Sequence, residues 1–377
     1  MYSEKFNEKV KLFTDAARFE NTRVPLLSND YTWKVCDSGA DFRDAYFKTK
    51  VMEKIVCAFH ERYGFDAYID LGTRNHFPQM QALGGGSYVL DEKTGGINVT
   101  DEPTLFPEDY EDFAKDPNKY LYIMFQRKFP NITTKDFVNA TTAFLQAQGY
   151  AQNIAKTFTE KYETPMMVTT SASVQPPIEA FHSSFRGISG ISVDMRRHKQ
   201  ALKAALDAYW EKMVLPSLAR ALSAQDKNYI ADVYFAIISH EVLNRKQFDE
   251  FYVPYMHQIL TKTAEAGRLV FIYIEDAIAR FADYFSDVPK GSAIMHLEMD
   301  DIFEMRKLLP GMPLAGGMTT DLLGRGTPQE CVERAKVLCN ELGSGFIMSQ
   351  NKMLSFRNDC RRENLLAVND FVRGFEL

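Results

Sequence analysis

No two cysteines in this chain stand in a C-x-x-C spacing, and the five present (Cys36, Cys57, Cys331, Cys339 and Cys360) are odd in number and scattered. That argues against a disulfide framework and leaves reduced thiols, as expected of a cytoplasmic protein. Cys331 and Cys339 share one predicted helix and read as packing residues. No apolar run approaches the roughly 18 residues of a membrane-spanning helix, and the opening Met1-Tyr2-Ser3-Glu4-Lys5-Phe6 holds no leader-like apolar core. Runs of Lys and Arg are also lacking. With a formal net charge of −6, neither nucleic acid nor a membrane surface is an expected partner. Three signatures are missing as well. Gly84-Gly85-Gly86 falls in a loop rather than opening a dinucleotide-binding helix, no GxSxG elbow occurs, and His240-Glu241 lacks the second histidine of HExxH.

What is present is a rhythm. Apolar runs at 24–28, 67–72, 166–171, 229–239, 269–275, 293–298, 313–317 and 345–349 alternate with amphipathic stretches such as 43–63. Several runs are wholly apolar, as in parallel strands buried on both faces. A helix is predicted over 328–342, with Thr327 as N-cap, Pro328 at its first position and Gly343 as its stop. Eight strand–helix repeats predict an α/β fold, a closed (β/α)8 TIM barrel rather than an open doubly wound sheet, with residues 1–377 as one domain. Residues 84–129, rich in acids, aromatics and prolines, break the rhythm after the second strand. They read as a lid-like insertion over the barrel mouth or as a solvated decoration.

The chemistry-bearing residues fall at strand ends, where such barrels place their sites. Glu275 closes Leu269-Val270-Phe271-Ile272-Tyr273-Ile274-Glu275, and Tyr273 shares its face. His296 and Glu298 share one face of the next strand. Glu275, His296 and Glu298 together suit Zn²⁺ with one open position, a metal-free acid/base pair, or a buried structural pair. Lys352, after the last strand, suits an anion or an oxygen leaving group, or is a plain surface lysine. Asp70, Arg74, Asn75 and His76 follow the second run. Arg74 is the natural clamp for a carboxylate or phenolate, and Asp70 and His240 are candidate substrate contacts.

Five segments carry a family resemblance: Asn21-Thr22-Arg23-Val24-Pro25, Asp194-Met195-Arg196-Arg197, Leu322-Leu323-Gly324-Arg325-Gly326-Thr327-Pro328-Gln329-Glu330, Gly345-Phe346-Ile347-Met348-Ser349 and Arg362-Glu363-Asn364-Leu365. The chain resembles the uroporphyrinogen decarboxylase superfamily, which includes cobamide-dependent methyltransferases. The resemblance spans nearly the whole length and implies the (β/α)8 fold. After Pro25 the decarboxylases' Arg-Gln-Ala-Gly-Arg-Tyr clamp is replaced by Leu26-Leu27-Ser28-Asn29-Asp30-Tyr31, which speaks against porphyrinogen decarboxylation. Where thiol-methylating relatives carry a His-x-Cys zinc motif, this chain has Tyr273-Ile274-Glu275, with Lys352 at the last cysteine position. Phe248-Asp249-Glu250-Phe251-Tyr252-Val253-Pro254 and the stretch from Glu275 to Pro289-Lys290-Gly291 look most like the first methyltransferases of anaerobic aryl-methyl-ether O-demethylases. In that branch a Glu and a His at this spacing belong to the zinc motif, whereas Leu260 stands where a further glutamate is expected.

The resemblance therefore implies transfer of a methyl group from a methyl ether, such as a methoxyarene, to the Co(I) of a separate corrinoid protein. The cobamide would belong to that partner, since the Asp-x-His-x-x-Gly cobalamin signature is lacking. His296, Lys352 and Tyr273 are the expected catalytic residues; Asp70, Arg74 and His240 the substrate contacts; Glu275, His296 and Glu298 the zinc ligands. A methylcobamide-dependent enzyme using another donor or acceptor (a thiol or amine) and a decarboxylase are the alternatives. A homodimer is left open.

Overall fold

The computed structural model describes residues 2–74, 76–99, 102–169, 173–225 and 227–377. Nine strands form: β1 (Leu26–Ser28), β2 (Ala67–Tyr68), β3 (Tyr88–Leu90), β4 (Ile97–Val99), β5 (Val233–Ile237), β6 (Val270–Ile274), β7 (Ala293–His296), β8 (Leu314–Met318) and β9 (Phe346–Gln350). All but β3 and β4 lie in one sheet of order β2-β1-β9-β8-β7-β6-β5, with every pairing in it parallel. The gap between β2 and β5 is closed by Met166, which bridges Tyr68 on one side and Tyr229 on the other. The Met166 and Met167 amides donate to Asn228 and Tyr68 carbonyls, and Ile230 and Ala231 return two bonds. The expected third strand is thus a short seam rather than a full ladder, and residues 170 and 171 of that run lie outside the described ones. Among the described residues no helix is long and apolar enough to cross a membrane.

Alternation along the strands separates two apolar clusters. Leu27, Ala67, Met167, Phe271, Tyr273, Ile294, Ala315 and Ile347 pack together inside the barrel. Leu26, Val270, Ile272, Ile274, Leu314 and Phe346 belong to the outer cluster, under the helices. This is why β6 reads as an unbroken apolar run: all five of its residues are buried. The stretch expected as one helix over 43–63 is two, Phe42–Phe47 and Thr49–Tyr63, because Lys48 adopts extended backbone between them. Segment 84–129 forms the β3–β4 hairpin and the helices Tyr110–Lys115 and Pro117–Lys128, ahead of a long helix, Thr134–Glu160. Gly95 and Gly96 lie against Phe42 and Phe356, so the hairpin rests on segments that follow β1 and β9.

The helix Pro328–Leu342 begins as its sequence predicts. Thr327 and Glu330 form a reciprocal capping box. Just upstream, Gly324 packs so closely that an added Cβ would lie 2.0 Å from the Asn358 carbonyl oxygen. Gly324→Ala is therefore expected to cost about 3 kcal/mol through forced backbone separation. Thr327→Ala should cost only about 1 kcal/mol. Urea denaturation of the two variants checks both the sizes and their order.

Candidate active site

The C-terminal ends of the strands hold a buried polar layer. His296 pairs in register with Tyr273, and their rings stack at 4.7 Å with planes 7° apart. His296 Nε2 lies 2.9 Å from the Gln350 carbonyl oxygen, so in the neutral ring that nitrogen carries the hydrogen. Burial pushes the imidazole down to about 4, which keeps it neutral at physiological pH. Its Nδ1 is buried without a hydrogen-bond partner. Asn29 ties the layer together: its side-chain amide donates to the Tyr273 hydroxyl and the Gln350 carbonyl, both at 3.1 Å, and its backbone N–H donates to Gln350 Oε1 at 2.8 Å.

Above this layer the mouth carries carboxylates. Glu275 follows Tyr273 on the inward face, held by its backbone N–H on the Ile237 carbonyl. Among the described residues nothing hydrogen-bonds its carboxyl. Burial, opposed by Arg74 and assisted by the charges of Glu298, Glu179 and Glu241, pushes that carboxyl up to about 7. The next residue, Asp276, has φ +58°, a left-handed conformation uncommon for a side-chain-bearing residue. Its N–H donates to Glu298 Oε2 at 2.7 Å. The other Glu298 oxygen meets Lys352 Nζ at 3.2 Å.

A cavity of about 880 Å³ opens beside this layer, between the seam at Met166 and the helix Thr134–Glu160. Asp70, Arg74, Tyr234, Val168, Gln148 and Gln152 are among its walls. Tyr234 links cavity and layer, since its ring lies 6.4 Å from that of Tyr273. His296 is thus two rings removed from the cavity wall. Asp70 is fixed by Lys34 Nζ at 3.0 Å and by the amides of Gly72 and Thr73. Burial raises this carboxyl, and Lys34 with the loop amides more than offsets it, leaving it below its ordinary value.

The expected residues do not all converge. Tyr273, Glu275, His296, Glu298 and Lys352 gather at neighbouring strand ends, and Asp70 and Arg74 line the adjoining cavity. His240 is buried on the Ala277 carbonyl at 3.1 Å, where it ties together the loops after β5 and β6. Asn75 lies outside the described residues. The zinc ligand set drawn from the sequence does not fit as arranged: Glu298 is committed to Lys352 and Asp276, and His296 to Gln350. Among the described residues no group of three or more His, Cys, Asp or Glu side chains is placed to hold a metal ion. Three polar residues not among the expected site residues prove central. Asn29 and Gln350 build the buried layer. Glu179, fully buried, accepts from the Ile238 and Ser239 amides, the Ser239 hydroxyl and the Tyr252 hydroxyl, fixing the loop after β5. Only their positions near apolar strand ends could have marked Asn29 and Gln350. Glu179 had no such signal.

This geometry can be set beside known proteins. A solved methyltransferase from Methanosarcina mazei is similar, with a TM-score of 0.65 and 16% identity over 97% of this chain and 98% of its own. Identity that low establishes likeness of fold. No curated protein matches the chain. The family model for uroporphyrinogen decarboxylase (URO-D) matches residues 30–352, which takes in every barrel strand after β1, with Tyr273, His296 and Gln350 of the buried layer and the mouth residues Glu275, Glu298 and Lys352. The chain belongs to the uroporphyrinogen decarboxylase family.

Proposed function

We propose that this chain is a methyltransferase that moves a methyl group from a methyl ether, most readily an aryl one, to the Co(I) of a separate corrinoid protein. One observation carries the reading: Glu275 stands at the open end of the barrel with no hydrogen bond to its carboxyl among the described residues, and burial pushes that carboxyl up to about 7. Breaking a methyl–oxygen bond leaves the electron pair on oxygen, and a positioned acid near pH 7 is the group that quenches it. The fold shared with a methyltransferase of known structure agrees with this assignment. A reduced corrinoid presented by the partner supplies the nucleophile.

The chain's own residues divide the remaining work. Glu275 holds the proton destined for the departing oxygen. His296 is too weakly basic and too deeply sealed to carry that proton, so its part is to brace Tyr273 by stacking. Lys352, tied to Glu298, keeps a positive charge at the rim. Apolar and aromatic walls exclude water from the reacting oxygen.

The test mixes the protein with a reduced corrinoid protein and a panel of methoxyarenes. Growth of the methylated corrinoid's absorbance is the expected result. Failure with every ether would overturn the ether assignment. Methyl transfer from the methylated corrinoid to a thiol, or release of CO₂ from an aromatic acid, would then identify one of the other chemistries.

A further inference from the structure

Arg74 stands at the wall of the large cavity, where its charge acts on Glu275 and Asp70 from a distance. Its guanidinium meets the Met353 sulfur and the Tyr234 hydroxyl, and its central carbon lies 5.6 Å from the centroid of the Tyr31 ring. Among the described residues no carboxylate reaches it as an ion pair. The acid four residues before it, Asp70, is already satisfied by Lys34, Gly72 and Thr73. That same Asp70-centred turn fixes where Arg74 begins. Gly72 sits there at φ +74°, and a Cβ on it would strike Met52 at 2.5 Å. The loop is built to present the guanidinium, and among the described residues no salt bridge neutralises it.

A guanidinium beside aromatic rings at an open cavity wall favours a planar anion that can take two parallel hydrogen bonds. The cavity, at about 880 Å³, lies within the size range of small-molecule sites. Tyr234, in the cavity wall, offers flat apolar surface near Arg74, while Tyr31 backs the guanidinium. We infer that the methyl donor is an arene bearing a carboxylate, the carboxylate held by Arg74 and the ring lying against Tyr234. For the reaction this rests on the methyl-transfer reading, whereas binding can be measured without any corrinoid partner.

Calorimetric titration of the intact protein at low salt with 4-methoxybenzoate, 4-methoxybenzamide and 4-methoxybenzyl alcohol tests it. The carboxylate is expected to bind at least about tenfold more tightly than either neutral analogue, a step equivalent to ~1.4 kcal/mol. Arg74→Gln should erase that preference and leave the neutral ligands' affinity unchanged, while Arg74→Lys should keep part of it. Equal affinity for acid and amide in the parent, an intact preference in Arg74→Gln, or no binding of any of the three would overturn the assignment. A carboxylate preference lost in Arg74→Gln, without methyl transfer in the partner assay, would leave the Arg74 site standing and refute the reaction instead.

Discussion

Glu275→Gln should lower the rate of methyl transfer by roughly 10²–10³-fold, within the range usual for loss of a positioned acid. The parent's rate should fall as pH rises through about 7, where the carboxyl gives up its proton. The variant's residual rate should be flat across the same window. A structural role for Glu275 would lower the rate without removing that pH limb, so the shape of the profile decides. Stability supplies a second readout. The folded carboxyl titrates near 7 rather than at 4.5. Between those values the folded state therefore binds a proton that the unfolded state has released, and stability falls as pH rises. Glutamine carries no such charge, so the variant should be the more stable protein at pH 8. The margin is of order 1–3 kcal/mol, reduced by the partial exposure of the group. The two proteins should converge near pH 4. An inactive variant that is also less stable at pH 8 would contradict the environment assigned to this carboxyl.

Lys34→Met should be the most destabilising of these substitutions. The ammonium is fully buried between Asp30 and Asp70, 3.0 Å from each, and also donates to the carbonyls of Asp30 and Tyr31. Removing it leaves two carboxylates in a low-dielectric site without a counter-charge, a loss of about 3–5 kcal/mol. Asp30 is already pushed up to about 6 by burial, against the pull of Lys34. Losing that pull raises it further. Protonation then relieves the repulsion, so the deficit should shrink as pH falls from 7.5 toward about 6, where the parent's Asp30 also takes up its proton. Adding Asp30→Asn to the variant should recover part of the loss, because the two sites share one network. Urea midpoints at both pH values test this, and a midpoint unchanged at pH 7.5 would refute it. Because Lys34 anchors Asp70, and Asp70 anchors the loop that starts Arg74, the variant should also lose the carboxylate preference.

Legibility differed sharply between strands and site. β6 and β9 could be placed because their apolar runs are uninterrupted and end in polar or glycine residues. The helix Pro328–Leu342 could be placed because Thr327, Pro328 and Glu330 satisfy its free amides locally. The run at 166–171 was placed too, but its reduction to isolated bridges was not legible, since ladder length depends on its neighbours. In the site, the inward parity of Tyr273, Glu275, His296 and Glu298 followed from the two-residue period of strands. The register that sets Tyr273 beside His296 agrees with the adjacency expected from chain order. Asn29 was not legible, because its partners Tyr273 and Gln350 lie 244 and 321 residues away. Nor could any local pattern show that Glu298 would be taken by Lys352 and the Asp276 amide rather than turned toward His296.

By itself, the chain's order of apolar and polar residues determined the alternating architecture, the face each strand residue occupies and the end of the barrel where chemistry-bearing side chains collect. These follow from backbone periodicity and local capping, which need only neighbours a few residues away. The tertiary structure alone decided which of those side chains has its carboxyl pushed up to about 7, which is held neutral by burial and which cation lacks a salt bridge among the described residues. Those properties depend on desolvation and on charges delivered from distant segments: Glu275 feels Arg74, Glu179, Glu241 and Glu298, four residues from four separate parts of the chain. Electrostatic environment is a property of the closed barrel, and it exists only once the strands have met.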